Sequence, residues 1–502
     1  MTSKQASAEP DSFSAPDCPK ATPLSGGLIS GTTKGTGRGA KSSGSPLACQ
    51  LQNNKHLVRA GSYSWVSDED PDADLLKEHK RRIEPWLAAL LQVEHLNLLV
   101  GSGLTAAVGR QAKAPPVTMA PGGFNCVSAD AVHRAARTGA ERAGRGDPNL
   151  EDEIRAALEL IAGLQVLSQA QGGGAEGIPP KGAAELLDLW EKALDGRLKS
   201  FLGAILSAEQ GIHKALAAGT PESNRIRRLV GSFLLTFGSR TATRERLHIF
   251  TTNYDRLIEY GCDLLGLRVL DRFVGRLNPI FRASRLGVDM HYNPPGIRGE
   301  PRYLEGVVRL SKLHGSVDWR LEKDGAGGGV ITRSLVPFGA PSNHPGLPTD
   351  ALKGLLIYPN PAKDMETLEY PYAELFRDFA AAVCQPNAVL VTYGYGFGDD
   401  HVNRILRDML TIPSTHLAIL SYDNAGGRVS RFCDSVGHDE QMTLLVGPHF
   451  GDLATLVEHY LPKPAIDRTT LRMVDLVNRR TVHRDGEGRG GGGGGGAPEG
   501  EA

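Results

Sequence analysis

The fold of this chain is decided by the stretch Leu96-Asn97-Leu98-Leu99-Val100-Gly101-Ser102-Gly103-Leu104-Thr105-Ala106-Ala107-Val108-Gly109. Five residues able to form a buried strand lead directly into a Gly-x-Gly-x-x-Ala turn, and a helical start of small residues follows. Glycines in such a turn let backbone N–H groups come close to a diphosphate at the helix N-terminus. The stretch therefore predicts the strand-turn-helix cradle of a dinucleotide-binding fold.

The residues after this turn depart from the pattern of an ordinary nicotinamide-dependent dehydrogenase. Such an enzyme has a second strand that ends in Asp or Glu about 20 residues further on. Here Gln111 to Asn125 is rich in Pro, Ala and Gly, with no strand pattern and no acidic residue. Because a Gly-x-Gly turn also closes ordinary strand–helix junctions, this motif alone leaves both interpretations open.

Composition and charge narrow the class of protein. A chain of 502 residues that is 40% hydrophobic can form two or three domains with a real core. Lys and Arg number 56 against 57 Asp and Glu, which indicates neither a nucleic acid nor a membrane as an obligatory partner. With no run of 18 apolar residues and no apolar signal core, a cytoplasmic protein is expected. The six cysteines form no Cys-x-x-Cys pair, so neither a zinc ribbon nor a disulfide framework is expected.

The chain divides by composition into one folded domain and flanking segments. Residues 1–60 are rich in Ser, Gly, Thr, Pro and Lys and are predicted to be a disordered N-terminal arm. Residues 61–465 are predicted to be the folded domain, with a helical insertion at about 110–245. Residues 466–484 are predicted to form a C-terminal helix, and residues 485–502 a disordered Gly-rich tail.

Strand and helix patterns alternate in the second half of the chain. The short apolar runs are Leu247 to Phe250, Gly306 to Leu313, Leu355 to Tyr358, Ala388 to Thr392, Leu417 to Ser421 and Met442 to Val446. Helical patterns lie between several of them, notably Tyr372 to Val383 and His401 to Leu410. This layout predicts an α/β fold with a Rossmann-like, open, mostly parallel sheet, a helical insertion or small domain, and flexible termini.

Three of these runs are followed at once by polar motifs. In an open parallel sheet the loops at the carboxyl ends of the strands converge on one crevice, so these motifs supply candidate site residues. The first is Thr251-Thr252-Asn253-Tyr254-Asp255. Its carboxamide and carboxylate, two positions apart, can position a water molecule and hold a ligand's amide or ribose hydroxyls. The alternative is that Asn253 or Asp255 caps the helix that begins near Arg256.

The second motif is Lys312-Leu313-His314-Gly315-Ser316. A His at a strand end followed by Gly is expected to be exposed to the crevice, where its near-neutral pKa suits it to accept a proton from water or a ribose hydroxyl. The third is Gly394-Tyr395-Gly396-Phe397-Gly398-Asp399-Asp400-His401-Val402-Asn403, whose glycines allow close backbone approach. Its alternative interpretation is a Gly-rich turn in which Asp399 caps a helix.

The four motifs, in this order on successive strand ends, resemble the sirtuin fold. The Asn253-Tyr254-Asp255 turn and the run from Gly394 to Asn403 resemble more closely the bacterial sirtuin-like domains of anti-phage defence systems. Ile357-Tyr358-Pro359-Asn360-Pro361-Ala362-Lys363, leading to Tyr370-Pro371-Tyr372 and Leu375-Phe376, is also similar to that branch. The resemblance covers about residues 90–425 and includes the helical insertion only loosely.

The resemblance implies roles for the matching residues. On the diphosphate side of NAD it places Gly101, Ser102 and Gly103 in the cradle, with Leu104 beside them in the cofactor site. It implies that Asn253 orients the nucleophile or the nicotinamide riboside and that Asp255 contacts the nicotinamide carboxamide. It also implies that His314 is the general base. It places Gly394, Phe397 and Asp399 along the adenosine side.

Two departures from the family bear on the reaction. The deacylases of the family carry four zinc cysteines and a Gly-Ile-Pro-Asp-Phe stretch after the glycine turn, and neither occurs here. We therefore expect no zinc and no other metal site, and acyl-lysine becomes a less expected substrate. Members of the defence branch instead cleave NAD itself, which implies an NAD hydrolase that forms nicotinamide and ADP-ribose.

The resemblance also implies a biological role, and two other functions remain open as alternatives. It implies an effector that depletes NAD, gated by homo-oligomerisation or by a partner such as a HerA-like DNA-translocating ATPase. One alternative is an NAD-dependent protein deacylase or ADP-ribosyltransferase. Another is a non-catalytic NAD or ADP-ribose sensor module, against which the presence of both Asn253 and His314 argues.

Overall fold

The computed structural model describes residues 47, 50–51, 54–142, 146–169, 180–241, 243–283, 289–292, 302–323, 329–347, 355–357 and 371–463. The predicted C-terminal helix and Gly-rich tail, and most of the predicted N-terminal arm, lie outside these residues. In the part of the chain that is described, no helix combines the length and apolarity needed to cross a membrane.

A nine-stranded sheet forms the centre of the described fold. Its strands are β1 (His56–Ala60), β2 (Tyr63–Ser67), β3 (His95–Val100), β4 (His248–Thr251), β5 (Arg268–Leu270), β10 (Val307–Lys312), β14 (Ala388–Tyr393), β15 (His416–Ser421) and β16 (Met442–Val446). The strand order is β2-β1-β16-β15-β14-β3-β4-β10-β5, and the seven strands from β16 to β5 are parallel. The predicted Rossmann-like α/β fold with a mostly parallel sheet is confirmed.

The order in which the chain forms the strands reverses beside β3. From β3 the chain builds outward through β4, β5 and β10, then returns to β14 on the other side of β3 and continues to β15 and β16. Ligands of open α/β sheets bind outside the carboxyl ends of the strands where the order reverses in this way. The turns after β3 and β14 therefore face the expected ligand site.

Ten helices of at least eight residues cover the two faces of the sheet or fill the insertion in the described residues. They are α1 (Ala73–Leu91), α2 (Ser102–Ala112), α3 (Ala129–Arg142), α4 (Leu150–Ser168), α5 (Pro180–Ala217), α6 (Pro221–Gly238), α7 (Leu257–Leu265), α8 (Tyr372–Val383), α9 (Asp400–Leu410) and α10 (Arg428–Val436). Within β3, Leu98 joins the core cluster on one face and Leu99 the cluster on the other. Burial on both faces explains why this strand reads as a continuous apolar run.

A second, antiparallel sheet corrects one of the predicted strand positions. It consists of β6 (Phe273–Val274), β7 (Ile280–Phe281), β11 (Gly315–Lys323), β12 (Gly329–Arg333) and β13 (Leu355–Ile357). We expected the run Leu355 to Tyr358 to be a strand of the main sheet, yet β13 pairs with β11. A short apolar run signals burial but does not indicate which sheet buries it. Two further two-residue strands, β8 (His291–Tyr292) and β9 (Arg302–Tyr303), pair with each other.

Two strands at the edge of the main sheet, β1 and β2, show that the predicted disordered arm ends earlier than expected. The prediction of disorder up to residue 60 is wrong for β1, which pairs antiparallel with β16, and β2 completes a hairpin with it. Gly61 turns this hairpin at a φ of +58°, a conformation that glycine adopts without strain. Five residues inside a long polar stretch were too few for their alternation to be recognised.

Acid should weaken the fold through His79 on α1. His79 is fully buried, its Nδ1 lies 2.7 Å from the Tyr63 hydroxyl, and desolvation together with the nearby His449 and His56 lowers its pKa from 6.5 to about 4. In the unfolded chain this imidazole is protonated below its ordinary pKa of 6.5, whereas in the folded chain it stays neutral down to about pH 4. Protonation therefore favours the unfolded chain, and the free energy of unfolding falls as the pH drops from 6.5 to about 4.

The measurement compares melting temperatures of the wild type and His79→Gln between pH 7.5 and pH 4. The advantage of the wild type should shrink as the pH falls, whereas the exposed His438→Gln should follow the wild type at every pH. A constant gap between the wild type and His79→Gln would contradict the prediction.

Candidate active site

The two glycine turns predicted at the crevice pack directly against each other. The N–H of Gly101 donates to the carbonyl of Tyr393, and the N–H of Gly103 to the carbonyl of Gly394, both at 3.0 Å. A Cβ atom on Gly101 would lie 2.4 Å from the Gly394 oxygen, and one on Gly103 would lie 2.4 Å from the Gly394 Cα. These glycines are needed because two backbones meet here with no room for side chains.

This packing limits which groups of the first turn can meet a phosphate. The N–H groups of Gly101 and Gly103 are already donated to protein carbonyls, whereas Ser102 is exposed at the first position of α2. An N–H at that position has no carbonyl partner within its helix, and the helix dipole favours an anion there. Leu104 is only 2% exposed and belongs to the core, so any contact with NAD would come from its backbone.

Asn253 is held in place by hydrogen bonds to the first turn. Its side-chain amide nitrogen donates to the Gly101 carbonyl at 3.0 Å and to the Thr105 hydroxyl at 3.2 Å, and the residue is 7% exposed. The Thr105 hydroxyl in turn donates to Oδ2 of Asp255 at 2.7 Å. Because both amide hydrogens are committed, the carbonyl oxygen Oδ1 is the group that Asn253 can present to a ligand or a water molecule.

Asp255 lies one residue before the N-cap of α7, Arg256, and its side chain stabilises the start of that helix. Its Oδ1 accepts the N–H of Leu257 at 3.1 Å, in the first turn of α7, and its Oδ2 accepts the Thr105 hydroxyl. The ammonium group of Lys312 donates to the Asp255 backbone carbonyl and, at 2.9 Å, to Glu259. The carboxylate therefore stabilises the turn that carries Asn253.

A buried ion pair ties this turn to the long helix α5. Two nitrogens of the Arg256 guanidinium contact the Glu209 carboxylate, at 2.5 and 3.2 Å, and the Arg256 N–H donates to the same carboxylate at 2.8 Å. Glu209 is 1% exposed and Arg256 5% exposed. A bidentate pair shielded from water fixes geometry as well as charge, so the helical insertion positions the Asn253 turn.

His314 occupies the two-residue connection between β10 and β11. The neighbouring Leu313 N–H donates to the Thr251 carbonyl at 2.8 Å, which holds this connection beside the Asn253 turn. The expectation of an exposed imidazole is wrong, since His314 is 3% exposed and packs against Tyr254 and His401 with ring centroids 6.1 and 5.6 Å away. The segments that follow β10 and β14 approach each other here, since the two strands end at the same edge of the parallel sheet.

The third motif brings a carboxylate and a second imidazole to His314. Oδ2 of Asp399 lies 3.9 Å from Nε2 of His314. Asp399 precedes α9 but makes no capping hydrogen bond through its side chain, so the capping alternative is wrong for this residue. The His401 ring lies 4.6 Å from that of Phe376, centroid to centroid. Phe397 has a φ of +50° and is 4% exposed, so its side chain belongs to the core.

Three residues at this crevice escaped the sequence-based prediction. Thr105 is the hydroxyl that links Asn253 to Asp255, and His401 lies two positions after Asp399. Arg428, at the start of α10, donates from Nε to the Gly396 carbonyl at 2.6 Å and brings a positive charge to the third motif. A Gly-x-Gly-x-Thr spacing could have indicated Thr105; for the other two, only the folded chain brings the partners together.

Comparison with known families supports the interpretation of these motifs. A family model described as SIR2-like domain matches residues 247–438, a segment that includes the Asn253 turn, the His314 connection and the run from Gly394. No curated protein matches the chain significantly. SIR2-like domains bind NAD, so the match supports an NAD-dependent enzyme. The similarity of residues 247–438 to a SIR2-like domain supports a sirtuin-like domain in this segment, and NAD-related chemistry is the activity that the match suggests.

Proposed function

We propose that the protein hydrolyses NAD to nicotinamide and ADP-ribose. The observation that carries the proposal is that Asn253 and His314 follow two neighbouring strands, β4 and β10. Both amide hydrogens of Asn253 are committed, which leaves its Oδ1 to bind water, and the Leu313 N–H holds the His314 connection to the Thr251 carbonyl. A pure binding module requires neither an oriented water nor a base at the bond to be broken. Both residues follow the carboxyl ends of parallel strands, β4 and β10, which are the first and second strands beyond β3 on one side of the position where the strand order reverses.

The proposed reaction needs little covalent help from the protein. The bond between the ribose C1′ and the pyridinium nitrogen breaks with its electron pair passing to nicotinamide, which leaves as a neutral molecule. Water then forms the new C1′–O bond and gives up a proton to His314, which returns it to solvent. In this proposal Asn253 Oδ1 holds the attacking water, and the oxocarbenium-like ribose must be sheltered from other water molecules.

Binding of the diphosphate is assigned in this proposal to the N-terminus of α2. Ser102, an exposed residue, supplies an N–H and a hydroxyl there, and the glycines on either side allow the two backbones to come close enough to form the turn. Asp255, which the family resemblance places at the nicotinamide carboxamide, already accepts two protein hydrogen bonds. Its remaining lone pairs would take part in such a contact.

The test is product analysis after incubation of the purified full chain with NAD. We expect nicotinamide and ADP-ribose in equal amounts. Cyclic ADP-ribose would favour cyclisation, in which a group of the substrate replaces water at C1′. NAD binding without turnover would favour the sensor alternative, and transfer of ADP-ribose to added protein would favour the transferase.

Thr105→Val, which keeps the shape of the side chain and removes its hydroxyl, is expected to lower the kcat of NAD hydrolysis about tenfold. The loss of one hydrogen bond to Asn253 and one to Asp255 frees the carboxamide to rotate, at a cost of about 1.4 kcal/mol or a tenfold lower kcat. Steady-state rates of nicotinamide release provide the measurement. Thr105→Ser keeps the hydroxyl and should restore most of the rate; equal rates for the Ser and Val variants would contradict this role.

The biological role is proposed from the family resemblance. An NAD hydrolase without control would deplete its own cell, so we propose a cytoplasmic effector of anti-phage defence gated by homo-oligomerisation or by a partner such as a HerA-like ATPase. The specific activity of the purified chain should then rise with protein concentration or on addition of the partner. A specific activity that stays high and constant at every concentration, without additions, would contradict gating.

A further inference from the structure

We propose that His314, Asp399 and His401 form a binding site for one divalent d-block cation such as Zn²⁺, and that the bound ion blocks NAD hydrolysis. The binding site stands on the geometry of the three side chains alone. The inhibitory consequence rests on the proposed function, because it requires His314 to act as the base. This ion would be distinct from the structural zinc of a cysteine ribbon, since the six cysteines form no Cys-x-x-Cys pair. The proposed site departs from the expectation, drawn from the sequence, that the chain has no metal site.

The three side chains converge closely enough for one ion. Each offers a ligand atom, and these three atoms all lie within 4.8 Å of one another. The His314 Nε2 and Asp399 Oδ2 atoms are 3.9 Å apart. Two ligands at about 2.0–2.2 Å from a tetrahedral zinc ion are about 3.4 Å apart, so small side-chain rotations close the set. All three side chains already contact protein groups, and ion binding would exchange some of those contacts.

The chemistry of the ligands selects the class of ion. Two imidazoles and one carboxylate suit Zn²⁺ and other d-block divalent ions, whereas Mg²⁺ and Ca²⁺ prefer sites made of oxygen atoms alone. The His314 side chain is 3% exposed and that of Asp399 18% exposed, so an ion here would lose most of its contact with bulk water. Removal from water strengthens the attraction between a cation and the Asp399 carboxylate.

The same lone pair cannot serve both as a metal ligand and as a base. An imidazole binds a metal ion through the nitrogen electron pair of its neutral form. A general base uses a nitrogen electron pair to take a proton. An ion held by His314 with Asp399 and His401 would fix the ring and place a positive charge where a cationic ribose must form. Hydrolysis of NAD would therefore be slowed for as long as the ion is bound.

The test begins with ion binding, measured without NAD. The full-length chain is treated with a chelator, dialysed and titrated with ZnCl2 in a calorimeter. We expect one site in the wild type, and at least a tenfold weaker affinity for that site in His401→Ala and in Asp399→Asn. His438→Ala, which removes an exposed imidazole outside the cluster, is the matched control and should bind Zn²⁺ as the wild type does.

The second readout is the rate of nicotinamide release as Zn²⁺ is added. Zn²⁺ should inhibit the wild type and His438→Ala alike, and His401→Ala should need at least tenfold more Zn²⁺ for the same inhibition. Equal Zn²⁺ affinity in the wild type and His401→Ala, or no binding at all, overturns the site. Faster hydrolysis with Zn²⁺ overturns the inhibitory role.

The two readouts separate this inference from the proposed function. Zn²⁺ binding that depends on His401, in a chain that does not cleave NAD under any condition, would support the metal site and count against the hydrolase. Hydrolysis of NAD that is insensitive to Zn²⁺ would support the hydrolase and overturn the metal-dependent inhibition.

Discussion

Substitution of His314 by Ala is expected to lower the rate of nicotinamide release from NAD by about 10²–10⁴-fold, the usual contribution of a general base. The imidazole is 3% exposed, and its Nε2 lies 3.9 Å from Oδ2 of Asp399. Because the base acts in the transition state, kcat should fall while the dissociation constant for NAD changes little.

The experiment measures initial rates by chromatography at saturating NAD and NAD affinity by calorimetry. His314→Gln fills most of the same space without a titratable nitrogen and should be as inactive as His314→Ala. His438→Ala controls for the loss of an imidazole as such. Circular dichroism and the melting temperature establish that each variant is folded. A kcat within threefold of the wild type in both His314 variants would exclude this residue as the base.

The parallel sheet could be predicted from the sequence because its strands are buried on both faces. In the strand from Ala388 to Tyr393 every residue is buried, and the strand from Met442 to Val446 has the same pattern. Such strands appear as continuous apolar runs with breakers on both sides. The shorter strands of the second sheet lack this signal, since two-residue strands such as Phe273–Val274 have no period to detect.

The contacts of the candidate site could be predicted only in part. The motifs were found because each follows a strand directly, and the sheet then brings them together. Which polar atom faces which could not be predicted, because it depends on contacts between residues distant in sequence. Thr105 lies 148 residues from Asn253, and the carboxylate of Asp399 meets His314 across two strand ends. For Asp255 the sequence could not distinguish a structural from a ligand-binding role, because either role is served by an Asp just before a helix.

Asn253 carries the second large effect, and its environment explains why a small change should be costly. The amide nitrogen is bound by the Gly101 carbonyl and the Thr105 hydroxyl, so Oδ1 points in one direction. Asn253→Ala removes the acceptor that we propose to hold the water, and it leaves the Gly101 carbonyl without this donor. A displacement of about 1 Å in a reacting group can cost about 10²-fold in rate, and we expect at least that loss of kcat.

Asn253→Asp tests whether the rate depends on how the acceptor oxygen is oriented or only on its presence. The carboxylate keeps an acceptor at the position of Oδ1 but cannot donate to the Gly101 carbonyl, and it would sit beside Asp255, whose Oδ2 shares Thr105 with Asn253. Both effects rotate or protonate the side chain, so this variant should be nearly as slow as Asn253→Ala.

A double-mutant cycle with Thr105→Val tests the cause. If Thr105 acts through Asn253, its tenfold effect should disappear once Asn253 is Ala, and the two losses should not add. Rates of nicotinamide release for the four proteins, with NAD affinity measured in parallel, supply the cycle. Fully additive losses would mean that Thr105 and Asn253 act independently, and the carboxamide would then require another explanation for its orientation.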